Sequence, residues 1–379
     1  MEILVVPFLG FIENAGFRLI VPLDEGASAF AFKAYDPVLQ RDVFIKYYQT
    51  LSGADDRILS EPRKIASLFV DSTNAADHIV SLYSTREVDD GGDKYIEMVT
   101  EFCEGNSLYK KIKQDDIYVL DALDYAKQAI DGLHVLHRKR FVHRDIKPSN
   151  LVLRTNKIKI IDLGAAAEIA AGEEALISRS KHSIFYRPPE AFDPHNRYSI
   201  TSDIYQIGLV LYELINGSII ENPNHYLDQV VVRKEEIRIG KKYAEMPDAD
   251  RSLIQDESIG ILAKRGRLLE HGAKPKRLYK KELKRIVAGL SAPDPTTRIK
   301  SCAAARILLS SYSGANWCEK RDGSILVKDF NGRDYMAWEK EVKPGKVVFE
   351  CQSSLHGNVQ FRKFGKVKSW DDFYKMLEC

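Results

Sequence analysis

Val142-His143-Arg144-Asp145-Ile146-Lys147-Pro148-Ser149-Asn150 is the stretch on which the reading of this chain turns. Before it, Leu120, Leu123, Ala126, Ile130, Leu133 and Leu136 recur every three or four residues, the mark of a long amphipathic helix. After it, Leu151-Val152-Leu153 reads as a short strand. A histidine, an arginine, an aspartate, a lysine and an asparagine therefore share one loop between a helix and a strand. Loops held by rigid elements are where functional side chains concentrate, and this set is richer than a solvated turn requires.

Outward from that loop the periodicity divides the chain. Upstream, Phe17 to Leu23, Phe30 to Ala34, Val43 to Tyr47, Ile79 to Tyr83 and Tyr95 to Glu101 read as short strands. One helical stretch, Arg57 to Phe69, interrupts them. Downstream, the run Ile204 to Ile215 is apolar on nearly all sides, which predicts a helix buried inside a mostly helical lobe. After Leu309, Ser311-Tyr312-Ser313-Gly314 breaks the pattern. Strand-like runs then return at Ile325 to Val327, Val347 to Cys351 and Val359 to Phe364, with a closing helix at Asp371 to Leu377. Residues 315–379 thus read as a small separate α+β module without a chemical motif.

Composition sets the bounds. The 379 residues are 44% hydrophobic and 29% charged, which excludes disorder and fibrous repeats. A formal charge of +2 gives no global field for nucleic acid or anionic membrane. Five cysteines without C-x-x-C pairs indicate neither a disulfide framework nor a zinc knuckle. The N-terminal run Leu4 to Phe8 lacks the basic flank of a signal peptide, and no segment approaches ~20 apolar residues. A soluble, cytoplasmic chain is expected.

The opening stretch resembles the catalytic loop of eukaryotic-like (Hanks-type) serine/threonine protein kinases, H-R-D-x-K-x-x-N. The resemblance covers roughly residues 17–310. It implies an α+β, two-lobed fold, with a β-rich lobe over about 17–102 and a helical lobe over about 103–310. It also implies ATP and Mg²⁺ as cofactors. Asp145 would accept the substrate hydroxyl proton, Lys147 would stabilise the transferring phosphate and Asn150 would give an oxygen to Mg²⁺. Ile160-Ile161-Asp162-Leu163-Gly164 resembles the family's D-F-G turn with Leu for Phe, and implies Asp162 as the main metal ligand.

The nucleotide side departs further from the family. Leu23 to Ala34 matches the glycine-rich hairpin in register, but only Gly26 keeps a glycine. Val43-Phe44-Ile45-Lys46 is similar to V-A-I-K, which implies that Lys46 clamps the α- and β-phosphates. Phe44 replaces a small residue and Ala31 a larger one, a volume exchange that would refill the adenine roof. Glu61, in Ser60-Glu61-Pro62, is the candidate partner of Lys46. Met98 to Gly105 resembles the hinge, with Thr100 as gatekeeper, main-chain groups of Glu101 and Cys103 for adenine, and Val152 as its floor.

Protein rather than metabolite substrates are implied by the later motifs. Ser183 to Glu190 resembles the peptide-docking loop that ends in A-P-E, and implies a pair between Glu190 and Arg298. Asp203, in Ser202-Asp203-Ile204-Tyr205-Gln206-Ile207-Gly208, would hold the catalytic-loop main chain. Ser178 and Ser180 fall in the activation segment, where a phosphate could pair with Arg144. The partners expected are proteins with Ser/Thr acceptors, with docking through residues 315–379 open, and neither nucleic acid nor membrane. The degraded hairpin, Phe44 and Pro62 leave a pseudokinase scaffold as the alternative, and a small-molecule phosphotransferase as a third reading.

Overall fold

The computed structural model of the chain describes residues 2–23, 30–50, 77–90, 93–114, 116–169, 175–176, 184–193, 197–219, 223–272, 274–343 and 346–377. The expected helix Arg57–Phe69 with Glu61 lies outside the described residues, as do Gly26, Ser178, Ser180 and Ser183.

The first lobe is an antiparallel sheet of β1 (Arg18–Leu23), β2 (Phe30–Asp36), β3 (Arg41–Thr50), β4 (Leu82–Asp90) and β5 (Asp93–Glu101), in the order β1-β2-β3-β5-β4. Strand alternation sorts β3 by face: Val43, Ile45 and Tyr47 point into the outer core, while Phe44 and Lys46 line the cleft below. The strand expected at Ile79–Tyr83 begins later than its apolar letters suggest. Ile79 makes only a single bridge to Ile160, and β4 continues through polar residues to Asp90.

An element that the sequence did not announce covers the outer face. The apolar N-terminus forms α1 (Glu2–Asn14), and Phe8 and Ile12, one helical turn apart, are buried on the sheet. The Phe8 ring lies 4.6 Å from Phe30 and 4.9 Å from Tyr47, centroid to centroid. Arg86 fastens the helix, donating to the Phe11 carbonyl at 2.9 Å while its Nε holds Glu97 at 2.6 Å. Replacing Phe8 by alanine should destabilise this lobe by about 3 kcal/mol, the usual cost of emptying a buried aromatic site. A urea titration followed by tyrosine fluorescence checks it.

The second lobe is helical: α2 (Leu108–Gln114), α3 (Val119–Arg138), α4 (Ile200–Asn216), α5 (Gln229–Ile239), α6 (Asp248–Lys264), α7 (Lys281–Leu290) and α8 (Cys302–Ser310). Short strands β6 (Phe141–Val142), β7 (Leu151–Arg154), β8 (Lys157–Ile160) and β9 (Ala167–Glu168) lie on its upper side, followed by β10 (Ala175–Leu176) and β11 (Arg197–Tyr198). Helix α4 is the axis, buried from Thr201 to Asn216 and started by a capping box of Ser199 and Ser202. Gly208 lets α7 approach it, since a Cβ there would meet Ser291 at 2.8 Å.

The C-terminal residues form a meander of β12 (Asn316–Glu319), β13 (Ile325–Phe330), β14 (Arg333–Lys343), β15 (Lys346–Leu355) and β16 (Arg362–Lys363), closed by α9 (Trp370–Leu377). The strand expected at Val359–Phe364 is reduced to β16, with Val359 fully in solvent. Trp317, Ile325, Val327 and Phe373 belong to the same continuous core as the second lobe. The Lys276 ammonium donates to the Glu319 carbonyl at 2.8 Å, and the Arg277 guanidinium lies 4.4 Å from the Trp370 ring centre. Among the described residues no helix is long and apolar enough to cross a membrane.

Candidate active site

Between the lobes lies a cavity of about 230 Å³. Leu23 and Phe44 line it from the sheet, Thr100 to Cys103 from the connecting segment, and Val152 and Ile161 from the helical lobe. Lys46 and Asp162 stand at one end, with Nζ 3.8 Å from Oδ1. A mostly apolar cavity that also carries a cation and a carboxylate suits a nucleobase with a phosphate tail. Ala31 is buried in β2 opposite Lys46 but does not line the cavity, so of the two exchanged residues it is Phe44 that narrows it.

The connecting segment is anchored by contacts that the sequence did not reveal. The buried Glu101 carboxylate takes Lys159 at 3.1 Å and also pairs with Arg154, tying the hinge to the β7–β8 hairpin. Gly105 passes so close to the Leu153 carbonyl that a Cβ would sit 1.7 Å from its oxygen. Thr100 is buried, and burial pushes the Cys103 thiol up to about 11, which keeps it a packing residue rather than a nucleophile.

Asp145, Lys147 and Asn150 come together below the cavity. The Lys147 ammonium donates to Asp145 Oδ2 at 2.8 Å. The Asn150 amide donates to the same oxygen at 3.0 Å and to the Asp145 carbonyl at 2.9 Å, so its own oxygen is the end left for a cation. The Ile161 N–H donates to the Asn150 carbonyl at 3.0 Å, which places Asp162 one residue further along the same crossing. Asp162 itself has φ of 61°, a left-handed conformation that a short polar residue tolerates. One carboxylate and one amide oxygen form the sparse hard-oxygen set that suits Mg²⁺ when phosphates complete its shell.

Arg144, at φ of 70°, puts a left-handed residue in the catalytic loop too, and such a conformation persists only where neighbours hold it. Helix α4 supplies those neighbours. Asp203 Oδ1 accepts from the Arg144 N–H at 2.8 Å, and Oδ2 accepts from the His143 N–H at 2.9 Å. Burial pushes the Asp203 carboxyl up, but hydrogen bonds from His137 and His143 outweigh it and leave the group below its ordinary range. One turn on, Gln206 accepts from the Ile146 N–H at 2.9 Å and donates to the carbonyls of Arg144, at 2.9 Å, and Tyr186, at 3.1 Å. Gln206 escaped the sequence reading, although an amide inside an apolar helix was the available signal. The Arg144 guanidinium is buried, with Nε on the Ala165 carbonyl at 2.5 Å and its centre 5.6 Å from the Tyr198 ring.

The docking loop rests on two further pairs. Glu190 meets Arg298 through both guanidinium nitrogens, at 2.8 and 3.0 Å. Tyr186 donates to Glu213 at 2.6 Å, and burial pushes the Glu213 carboxyl up to about 7.

A five-stranded antiparallel sheet set over a helical lobe, with Lys46 and Asp162 facing one another across the gap, defines a two-lobed architecture. The family named "Protein kinase domain" matches residues 18–312, and the chain belongs to it. Among curated relatives, it is 34% identical over 209 residues to "Serine/threonine-protein kinases PknA" of Corynebacterium glutamicum, covering 54% of this chain and 44% of the relative. It is 32% identical over 195 residues to "Serine/threonine-protein kinases drp72" of Corynebacterium efficiens, covering 51% and 37%. It is 29% identical over 207 residues to "Serine/threonine-protein kinase PrkC" of Bacillus subtilis, covering 54% and 31%. The matches span less than half the length of these relatives.

Proposed function

We propose that the chain is a serine/threonine protein kinase that transfers the γ-phosphoryl group of ATP to hydroxyls of protein substrates. The observation that carries this reading is the cluster of Asp145, Lys147 and Asn150, fixed from below by Asp203 and Gln206 and set against Lys46 and Asp162. Phosphoryl transfer needs positioning and charge neutralisation more than covalent help. In this reading Asp145 orients the acceptor hydroxyl and takes its proton, and Lys147 balances charge beside it. Lys46 holds the phosphate tail, and the main-chain groups of Glu101 and Cys103 hold the base. Mg²⁺, when bound, neutralises phosphate charge; Asp162 and Asn150 would hold it. The loop anchored through Tyr186 and Glu190 is similar to the family's peptide-docking loop, which favours proteins over metabolites. Cys103, Cys302, Cys318 and Cys351 are free thiols, the state of a reducing compartment, and we place the activity in the cytoplasm.

Incubation with γ-labelled ATP, Mg²⁺ and mixed acceptor proteins should give phosphoserine or phosphothreonine after acid hydrolysis. Label confined to small molecules, or no label with demonstrated nucleotide binding, overturns the reading. Gln206→Leu should lower kcat about tenfold at unchanged KM for ATP, because one buried N–H and two carbonyls lose their partner at once. Steady-state kinetics on a peptide acceptor measures it.

A further inference from the structure

Asp203 does not act alone: its carboxylate is the inner end of a chain of polar groups that runs through His137 to Cys302. His137, in the last turn of α3, faces Asp203 with Nε2 2.8 Å from Oδ2. Its other nitrogen, Nδ1, faces the Cys302 sulfur at 3.2 Å. Cys302 is the first residue of α8, so three helices from distant parts of the chain meet under the catalytic loop. Asp203 is completely buried and Cys302 is 4% exposed, and the His137 side chain between them is 7% exposed.

We propose that Cys302 is a positioning residue for the catalytic loop, acting through His137 on Asp203. The inference rests on the kinase reading above and adds a residue to it. An ionised carboxylate only accepts, so the imidazole proton that faces Asp203 must sit on Nε2. In the neutral ring that tautomer leaves a lone pair on Nδ1, facing the Cys302 sulfur. The thiol S–H is the donor to it: burial pushes its pKa up to about 12, so its proton stays in place. The S–H therefore fixes the tautomer, the tautomer fixes the carboxylate, and the carboxylate holds the N–H groups of His143 and the left-handed Arg144. Without the donor the imidazole can turn over or swap its proton, and Asp203 then loses one of its three hydrogen bonds.

Packing and positioning make opposite demands at residue 302. Serine is smaller and more polar than cysteine yet still donates a proton; alanine is similarly small and donates nothing. Positioning predicts that Cys302→Ser keeps the wild-type kcat while Cys302→Ala loses about tenfold, the worth of one buried hydrogen bond, with KM for ATP unchanged in both. A pure packing role predicts that serine is no better than alanine, and that result would overturn the proposal. Imidazole ¹⁵N spectra of the full chain give a readout independent of catalysis. The His137 Nε2–H tautomer should be present in wild type and Cys302→Ser and disturbed in Cys302→Ala; identical spectra in all three reject the proposal. If wild type transfers no phosphate while the spectra behave as expected, the kinase reading fails and the relay stands.

Discussion

Asp145→Asn will cost kcat roughly 10²- to 10⁴-fold, the range for removal of a general base, while ATP still binds and the chain still folds. The substitution keeps the shape of the side chain and one oxygen. It therefore preserves an acceptor for the two donors on Oδ2, Lys147 at 2.8 Å and Asn150 at 3.0 Å. What it removes is the group able to take a proton from an acceptor hydroxyl. The main-chain contacts of the loop run through Asp203 and Gln206 and do not involve the 145 side chain, so the scaffold is untouched. Calorimetry with ATP and Mg²⁺ should match wild type while label transfer to peptide falls to the stated range. An Asn variant that retains more than a tenth of kcat would mean that the carboxylate only orients the hydroxyl. A scaffold without catalysis predicts no difference between the two proteins at all.

The parts of this site that the sequence disclosed share one property: their chemistry is packed into short stretches. Asp145, Lys147 and Asn150 fall within one loop, so residue types and spacing alone carried the reading. Gln206, His137 and Cys302 act through partners far away in the chain, and no local pattern marks a side chain whose role is to meet a main-chain N–H sixty positions upstream. Helix α1 was illegible for a different reason. Its letters are apolar on most sides, and only the aromatic outer face of the sheet, buried beneath it, explains why Phe8 and Ile12 are needed there. Strands β4 and β14 were missed or displaced because much of each is solvent-facing; β14 buries Tyr335 and Ala337 but then runs out through Glu339 to Lys343. Hydrophobic alternation finds strands with a buried face, and the outer half of a hairpin has none. The two-lobed division was legible because the change from a period of two to one of 3.6 falls at the lobe boundary.

Glu190→Ala should be the most destabilising single change in the helical lobe, by about 3–5 kcal/mol, because it strands a buried cation. The Arg298 side chain is fully buried, and the carboxylate meets two of its nitrogens at 2.8 and 3.0 Å. Its remaining contacts are the carbonyls of Ala292, Thr201 and Pro293 and the face of Tyr205, with the guanidinium centre 4.9 Å from the ring centre. Those dipoles do not replace a full negative charge beside a guanidinium that itself has no solvent exposure. The pair need not be a net source of stability, however, since desolvating both ions offsets much of their attraction. The double variant Glu190→Leu, Arg298→Met should therefore recover most of the loss, giving strong non-additivity in urea unfolding. Its activity separates the two roles of the pair. Glu190 also accepts from Ser202 at 2.7 Å, so the ion pair fixes the docking loop to the start of α4, the helix that carries Asp203. A double variant that regains stability yet shows a raised KM for peptide, with KM for ATP unchanged, assigns the pair to substrate placement. Recovery of stability and peptide KM together would reduce it to a fold contact.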